Sequence, residues 1–338
     1  MAFSRKFATL IEESNRILTD ISFNNGIELI IPNSKKFKLN NIKNSFATSY
    51  FDINDEDNIY GVILDSHNSL SFICINDNFI SKSRLFSFDS EKYRIDFPYI
   101  KRIDNKTHVF FYLVNIRKPN TCSLIHYYND GTIWNKHTLA NINYFILTNF
   151  VVIWDSNFPS ILYLNKINDY EEVILSLFDP NTNSWCHPMQ ITNSGCTKVY
   201  LSAIKDNLNY YHVVYSENND DKYYCNYTSG YIKDNVFNIY SENILKECIA
   251  CEFPSLSLIN DSLYCQWLEY DNLYTSSSND NGITWGKPKL FNCDRDEYFT
   301  RYSYKCNKNI KYNFILDNFF SFNTDFRPLG FDTNILKL

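Results

Sequence analysis

Ser278-Asn279-Asp280-Asn281-Gly282-Ile283-Thr284-Trp285 decides how this chain is read. Gly282 supplies the positive φ that a tight hairpin needs, without steric cost. Asp280 stands where its carboxylate can accept hydrogen bonds from the backbone N–H groups of its own turn. Ser278 and Thr284 offer hydroxyls to the same local network. Trp285 ends the turn with a large apolar plate, expected to bury against the next sheet.

Weaker versions of the turn precede it. Asn129-Asp130-Gly131-Thr132-Ile133-Trp134 keeps the acid, the glycine and the tryptophan, and Asp179-Pro180-Asn181-Thr182-Asn183-Ser184-Trp185 keeps the acid and the tryptophan. Trp134 and Trp185 are 51 positions apart, and Trp185 and Trp285 are 100 apart, close to two further periods. A second marker agrees: Asp96-Phe97-Pro98 and Glu252-Phe253-Pro254 each open an apolar strand, and their phenylalanines are 156 positions apart. A period near fifty residues is that of propeller blades, each a four-stranded antiparallel sheet.

Every repeat contains a strand and a second strand rich in Tyr, Phe and Val, joined by an Asn/Asp turn in all but the third. The second strands read Ile59–Ile63, His108–Tyr112, Ile161–Leu164, Tyr211–Tyr215, Leu263–Trp267 and Tyr312–Ile315. The expectation is an all-β, six-bladed β-propeller forming a single domain over residues 1–338, with seven blades the alternative. The last unit is short, and the N-terminal hairpin Ile27–Pro32 with Phe37–Leu39 supplies the strands that close it. Residues 1–22 carry Phe3, Phe7, Leu10, Ile11, Ile17, Leu18 and Ile21 at helical spacing, which predicts a short N-terminal helix packed on the ring.

The eight-residue turn resembles the Asp-box (BNR repeat) of sialidase-like β-propellers, formed here by Ser278, Asp280, Gly282, Thr284 and Trp285. In those proteins the box lies at the outer rim of a blade, so it speaks to architecture rather than chemistry. The resemblance implies a site of three arginines that hold a carboxylate, a Tyr/Glu nucleophile pair and an Asp acid/base. Guanidinium groups bind a planar anion bidentately, and a charged partner turns a phenol into a nucleophile. The family's F/Y-R-I-P motif is matched poorly by Tyr93-Arg94-Ile95-Asp96-Phe97-Pro98, where the proline is displaced. Carried over, the catalytic set would be Arg94, Arg295 and Arg301 with Tyr298 and Glu252.

Composition fits the fold and narrows the function. Aromatic residues make up 17% of the chain, which suits sheets packed face to face. With only 8 glycines, Asn and Asp must take the turn positions, and they tolerate the left-handed region best among the other residues. Heavy use of Asn, Ile, Lys, Tyr and Phe resembles proteins of AT-rich genomes, clostridial ones for example. The net charge of −6 and the lack of a basic stripe argue against nucleic acid as a partner. The longest apolar run, Tyr144–Trp154, is too short for a transmembrane segment, and the N-terminus lacks the apolar core of a secretory signal. A cytoplasmic or otherwise intracellular setting follows, with the 10 cysteines as reduced thiols.

No metal or cofactor is expected. Cys248-Ile249-Ala250-Cys251 is a C-x-x-C pair without a second pair to complete a zinc site, and without the following helix of a redox motif, so its spacing reads as fortuitous. Asp52, Asp55, Glu56 and Asp57 lack the spacing of a calcium loop and read as a turn. His108 and His212 occupy equivalent strands and read as structural.

Loops that join one blade to the next, and second strands to third strands, are expected at one axial face. They carry Arg94, Asp96, Arg117, Tyr170, Glu217, Glu252, Asp296 and Arg301 as ligand-binding candidates. This mix of acids, arginines and tyrosines suits glycan hydroxyls or a polar peptide. The first expectation is therefore a non-catalytic propeller that binds a glycan or a protein partner. A glycoside hydrolase of the same fold is the second, and a structural coat or complex component the third.

Overall fold

The computed structural model describes residues 2–23, 27–30, 37–39, 46–65, 69–76, 79–118, 120–155, 157–219, 222–292, 297–322, 324 and 326–331. Arg295, Asp296 and the end of the Ile27–Pro32 segment lie outside them. Apart from one 3₁₀ turn at Phe46–Thr48, the regular structure described is β-strand, arranged in six sheets. The chain divides into two compact units: Lys6–Asn143 with Tyr302–Lys311, and Met1–Arg5 with Tyr144–Arg301 and Tyr312–Leu338.

The unit containing Lys6–Asn143 holds two four-stranded antiparallel sheets. The first comprises Ser49–Ile53, Ile59–Leu64, Ser69–Asn76 and Phe79–Ser87; the second comprises Tyr93–Ile103, Lys106–Asn115, Thr121–Asn129 and Trp134–Asn143. The expected second strands Ile59–Ile63 and His108–Tyr112 fall inside observed second strands. Both faces of these strands are largely buried. Tyr60, Val62 and Leu64 meet Ile95, Ile100, Val109 and Phe111. On the other face, Phe51, Ile53, Ile59 and Ile63 meet Ile11, Ile21, Ile27 and Leu29.

The unit containing Tyr144–Arg301 repeats the plan three times. The third sheet has Val151–Asp155, Phe158–Ile167 and Tyr170–Asp179, with Ser184–Trp185 and Met189–Gln190 as short outer strands. Thr197–Lys205, Tyr211–Asn219, Lys222–Lys233 and Val236–Cys248 make the fourth, and Glu252–Ile259, Ser262–Glu269, Asn272–Ser278 and Lys289–Leu290 the fifth. Apolar side chains fill the seams, Leu162, Val173 and Leu175 against Leu201, Val213 and Tyr215, and Val214, Cys225 and Tyr227 against Leu263, Cys265 and Trp267.

Both chain ends enter the sixth sheet, whose strand order is Asn318–Phe322, Tyr298–Cys306, Ala2–Glu12, Leu18–Phe23, Ile27–Ile30 and Phe37–Leu39. N-terminal strands thus complete a C-terminal sheet, as the hairpin led one to expect, but two details differ. Residues Ala2–Glu12 and Leu18–Phe23 are strands, not a helix. Ala8 through Glu12 are buried without interruption because the strand sits inside the sheet, and such continuous burial leaves apolar spacing uninformative about period. Tyr312–Ile315 likewise does not pair with the strand before it. Phe314–Leu316 adds to the free edge of Glu252–Ile259 in the fifth sheet.

All three acid-centred turns lie between third and fourth strands and close alike. Asp280 accepts from the Thr284 backbone N–H (2.9 Å) and hydroxyl (2.5 Å), while the Ser278 hydroxyl accepts from Gly282 N–H (2.9 Å) and donates to Asp280 (2.8 Å). Asp130 takes the Thr132 hydroxyl (2.6 Å) and Asp179 the Thr182 hydroxyl (2.8 Å). These bonds to the charged form hold the Asp280 carboxyl down at about 2. The tryptophans behave otherwise than expected. Trp285 packs edge-on to Tyr227 of the preceding sheet (4.8 Å), whereas Trp134 and Trp185 lie against Tyr127 and Phe178 of their own sheets.

Candidate functional site

The Asp/Glu-Phe-Pro marker is a β-bulge. Phe97, Tyr200 and Phe253 have φ of 51°, 53° and 52°, each beside a register shift in the first strand of its sheet. Left-handed backbone is costly for an aromatic residue, so three repeats of it mark a position that packing enforces.

In the unit containing Tyr144–Arg301, the first strands touch near their starts. Asn149 Nδ2 donates to Leu201 O (2.9 Å), Leu256 N to Ser202 Oγ (3.2 Å) and Arg301 Nη2 to Ser255 Oγ (3.4 Å). The starts of these strands therefore share one end, together with the turns that join second to third strands. Tyr170, Tyr270 and Tyr298 stand at that end, 44%, 61% and 66% exposed. Phe145 is also exposed there, with the Lys166 ammonium 4.2 Å from its ring centroid.

Arg301 lies below this surface, half-buried, with its guanidinium 5.8 Å from the Phe253 ring centroid and the Tyr200 and Phe253 rings 4.7 Å apart. Its Nε has no hydrogen-bond partner among the described residues. Burial lowers its pKa to about 10, a fall partly opposed by the charge of Asp317, so it remains a cation at neutral pH. Tyr298 and Arg301 are three residues apart on one strand and leave it from opposite faces. The structure does not bring these two together as a phenol–guanidinium pair. Glu252 is half-buried at the start of its strand.

Glu217 is not a solvated loop charge. Together with Glu172 it clamps the fully buried Lys198, whose Nζ lies 2.9 Å from Glu172 Oε2 and 3.1 Å from Glu217 Oε2. Lys198 also donates to Ser194 Oγ and to the carbonyls of Glu171 and Cys196. Thr192, Gly195, Ser194 and Asn226 donate to the two carboxylates. This network pins the segment that enters the fourth sheet. Sequence reasoning missed Lys198, since a lysine at a strand start reads as exposed. Glu269 is bound in the same way by Lys246, whose ammonium lies over the Tyr274 ring.

In the other unit, Arg94 is spent on Asp96, which it reaches through both Nε and Nη2 at 2.7 Å. Arg117 is exposed in the Asn115–Thr121 loop at the same end of the second sheet. The first strands here carry Tyr50 and Tyr99, ring centroids 4.4 Å apart, with Lys305 5.3 Å from Tyr50. Asp55, Glu56 and Asp57 form a turn, as expected, whereas Asp52 is buried in the strand before it: Asp52 pairs with Lys101, Asp55 with Lys308, and Asp57 accepts from Ser14 and Asn307.

No protein-family model matches the chain, and no curated protein matches it in sequence. Solved structures do match in shape. An ulvan lyase, a polysaccharide lyase, superposes with a TM-score of 0.64 at 9% identity, over 95% of this chain and 91% of that one. A lectin from Burkholderia pseudomallei gives 0.58 at 10% identity, over 89% of each. An α-L-arabinanase from Penicillium chrysogenum, complexed with arabinobiose, gives 0.52 at 8% identity, over 82% and 93%. The fold is a β-propeller. At these identities the likeness concerns the propeller alone. No helix among the described residues is long and apolar enough to cross a membrane.

Proposed function

We propose that this protein is a non-catalytic, sialidase-like propeller that binds a glycan at the end where Tyr170, Tyr270 and Tyr298 are exposed. One observation carries the reading: aromatic rings stand open there while three nearby carboxylates are occupied. Glu172 and Glu217 are held by Lys198, and Glu269 by Lys246. Exposed rings offer flat apolar faces with hydroxyls at their edges, which match the apolar faces and polar rims of sugars. Carboxylates committed to lysines lack the freedom to exchange a proton with a glycosidic oxygen. The lyase, lectin and arabinanase that share the fold are all named for glycan chemistry, which adds support. An intracellular setting belongs to the same proposal. The test is a glycan array with the intact protein, repeated with Tyr270→Ala and Tyr298→Ala. Saturable binding weakened by both changes supports the reading; a protein partner and no glycan refutes it.

The unpartnered Nε of Arg301 favours a second reading, a glycoside hydrolase acting on an acidic sugar. Release of a fluorophore from aryl-glycosides, abolished by Arg301→Ala, would establish it. A broad panel left intact would remove it.

A further inference from the structure

Four cysteines from separate parts of the chain meet in the seam between the fourth and fifth sheets. Cys225 comes from Lys222–Lys233 and Cys265 from Ser262–Glu269, while Cys248 and Cys251 bracket the link from one sheet to the next. The sulfurs of Cys225 and Cys265 are 3.9 Å apart. Cys251 neighbours Cys225 on one side and Cys248 on the other within the same packed cluster. The four sulfurs thus form a chain in the order Cys265, Cys225, Cys251, Cys248. All four residues are buried, yet Ile249 beside the outer pair is 66% exposed, so the chain runs from a surface turn into the seam. The C-x-x-C spacing that reads as fortuitous in sequence acquires two further thiols through sheet packing. Among the described residues no group of three or more His, Cys, Asp or Glu side chains forms a metal-holding cluster.

We propose that this row of thiols is a site of oxidative modification, in which a hydroperoxide oxidises the Cys248–Cys251 pair and disulfide exchange carries the bond inward to Cys225–Cys265. In the first step two thiols and one hydroperoxide give a disulfide, an alcohol and water, and two electrons pass from sulfur to the peroxide oxygens. The Cys225 thiolate then attacks Cys251 Sγ and expels Cys248, which takes up the proton that Cys225 lost. Cys265 attacks Cys225 Sγ and expels Cys251 in the same way. The exchanges consume no electrons and leave Cys248 and Cys251 as thiols. Burial pushes the thiols of Cys225 and Cys251 up, and the neighbouring Cys251 followed by burial does the same to Cys248, so little thiolate exists at neutral pH and transfer accelerates as pH rises. The final bond joins the third strand of one sheet to the second strand of its neighbour, across 40 positions of sequence.

The test treats the intact, reduced protein with hydrogen peroxide at about pH 7 and about pH 9, below and above the ordinary thiol pKa, then alkylates free thiols and maps disulfides by peptide mass spectrometry. The expected product is the Cys225–Cys265 bond, formed faster at the higher pH and accompanied by a higher Tm. Cys251→Ser leaves both final partners in place and is expected to slow that bond at least about tenfold, since the attacking and leaving sulfurs set the exchange rate. Cys248→Ser, at the surface turn, gives the same readout should the first variant misfold. Equal rates in wild type and both variants would overturn the relay. Four thiols that stay reduced until unfolding would overturn the site. Zinc released from the untreated protein by thiol alkylation would replace it with a metal centre.

Discussion

Gly282 sits directly against the phenol of Tyr227: a Cβ at Gly282 would lie 1.8 Å from the tyrosine hydroxyl oxygen. The Ser278–Trp285 turn is thereby docked on the preceding sheet, where Ser241 and Asn243 also donate to the Gly282 carbonyl. Tyr227 cannot easily give way, because its hydroxyl is 2.7 Å from His212 Nδ1 inside a buried network that continues to Asp206. Gly282 also has φ of 84°.

Gly282→Ala is accordingly expected to destabilise the protein by about 2–4 kcal/mol, the left-handed backbone and the overpacking acting together. Urea unfolding should show a lower midpoint at an unchanged slope. An unaltered midpoint would mean that the turn is not seated on Tyr227.

Much of the propeller was legible because its strands are apolar and its turns are chemically distinctive. Six second strands were located from Tyr, Phe and Val runs, and five of them pair as expected. The Asp/Glu-Phe-Pro marker was visible as a recurrence, but its cause, an aromatic residue in left-handed backbone, needed coordinates. Ala2–Glu12 was misread because a strand enclosed within a sheet shows no alternation. Tyr312–Ile315 was misassigned because sequence order does not reveal that a strand joins the sheet before it.

The site was less legible. Tyr170, read as a loop residue, and Tyr298, read as a nucleophile candidate, are both exposed, but a charge cannot be placed in or out of solvent by its position in a loop. Glu217 and Lys198 look equally solvated in sequence and are buried together in the fold. Convergence of Cys265 and Cys251 on Cys225 depends on two sheets packing, which no local spacing encodes.

Lys198→Met should cost about 3–5 kcal/mol, because it strands two buried carboxylates beside each other. By contrast Arg94→Ala, which breaks a pair whose arginine is half exposed, should cost about 0–1 kcal/mol. Thermal denaturation of the two variants side by side measures the difference. Similar losses would show that the Lys198 cluster contributes no more than a surface pair.

Acid should weaken the fold through the histidine stack of the second sheet. His108 Nδ1 is 3.1 Å from His126 Nε2, and His126 stacks on Phe110 with centroids 4.4 Å apart. Burial first, and the charge of Lys106 second, lower the His108 pKa from 6.5 to about 3; His126 is also driven well down by burial and its histidine neighbours. The unfolded chain takes up these protons before the folded one does, so stability falls as pH drops from 6.5 towards about 3. Urea midpoints across that range should decline in wild type and flatten in His108→Phe. An equal decline in both would assign the acid sensitivity elsewhere.

The most direct test of the glycan-binding account is a paired measurement on the intact protein, with array binding and turnover assayed on the same set of glycans. Saturable binding, unchanged ligands after prolonged incubation, and affinity at least about tenfold weaker in Tyr298→Ala are the predicted results; that loss corresponds to about 1.4 kcal/mol for one aromatic contact. Cleaved product, or binding indifferent to both Tyr270→Ala and Tyr298→Ala, would contradict it.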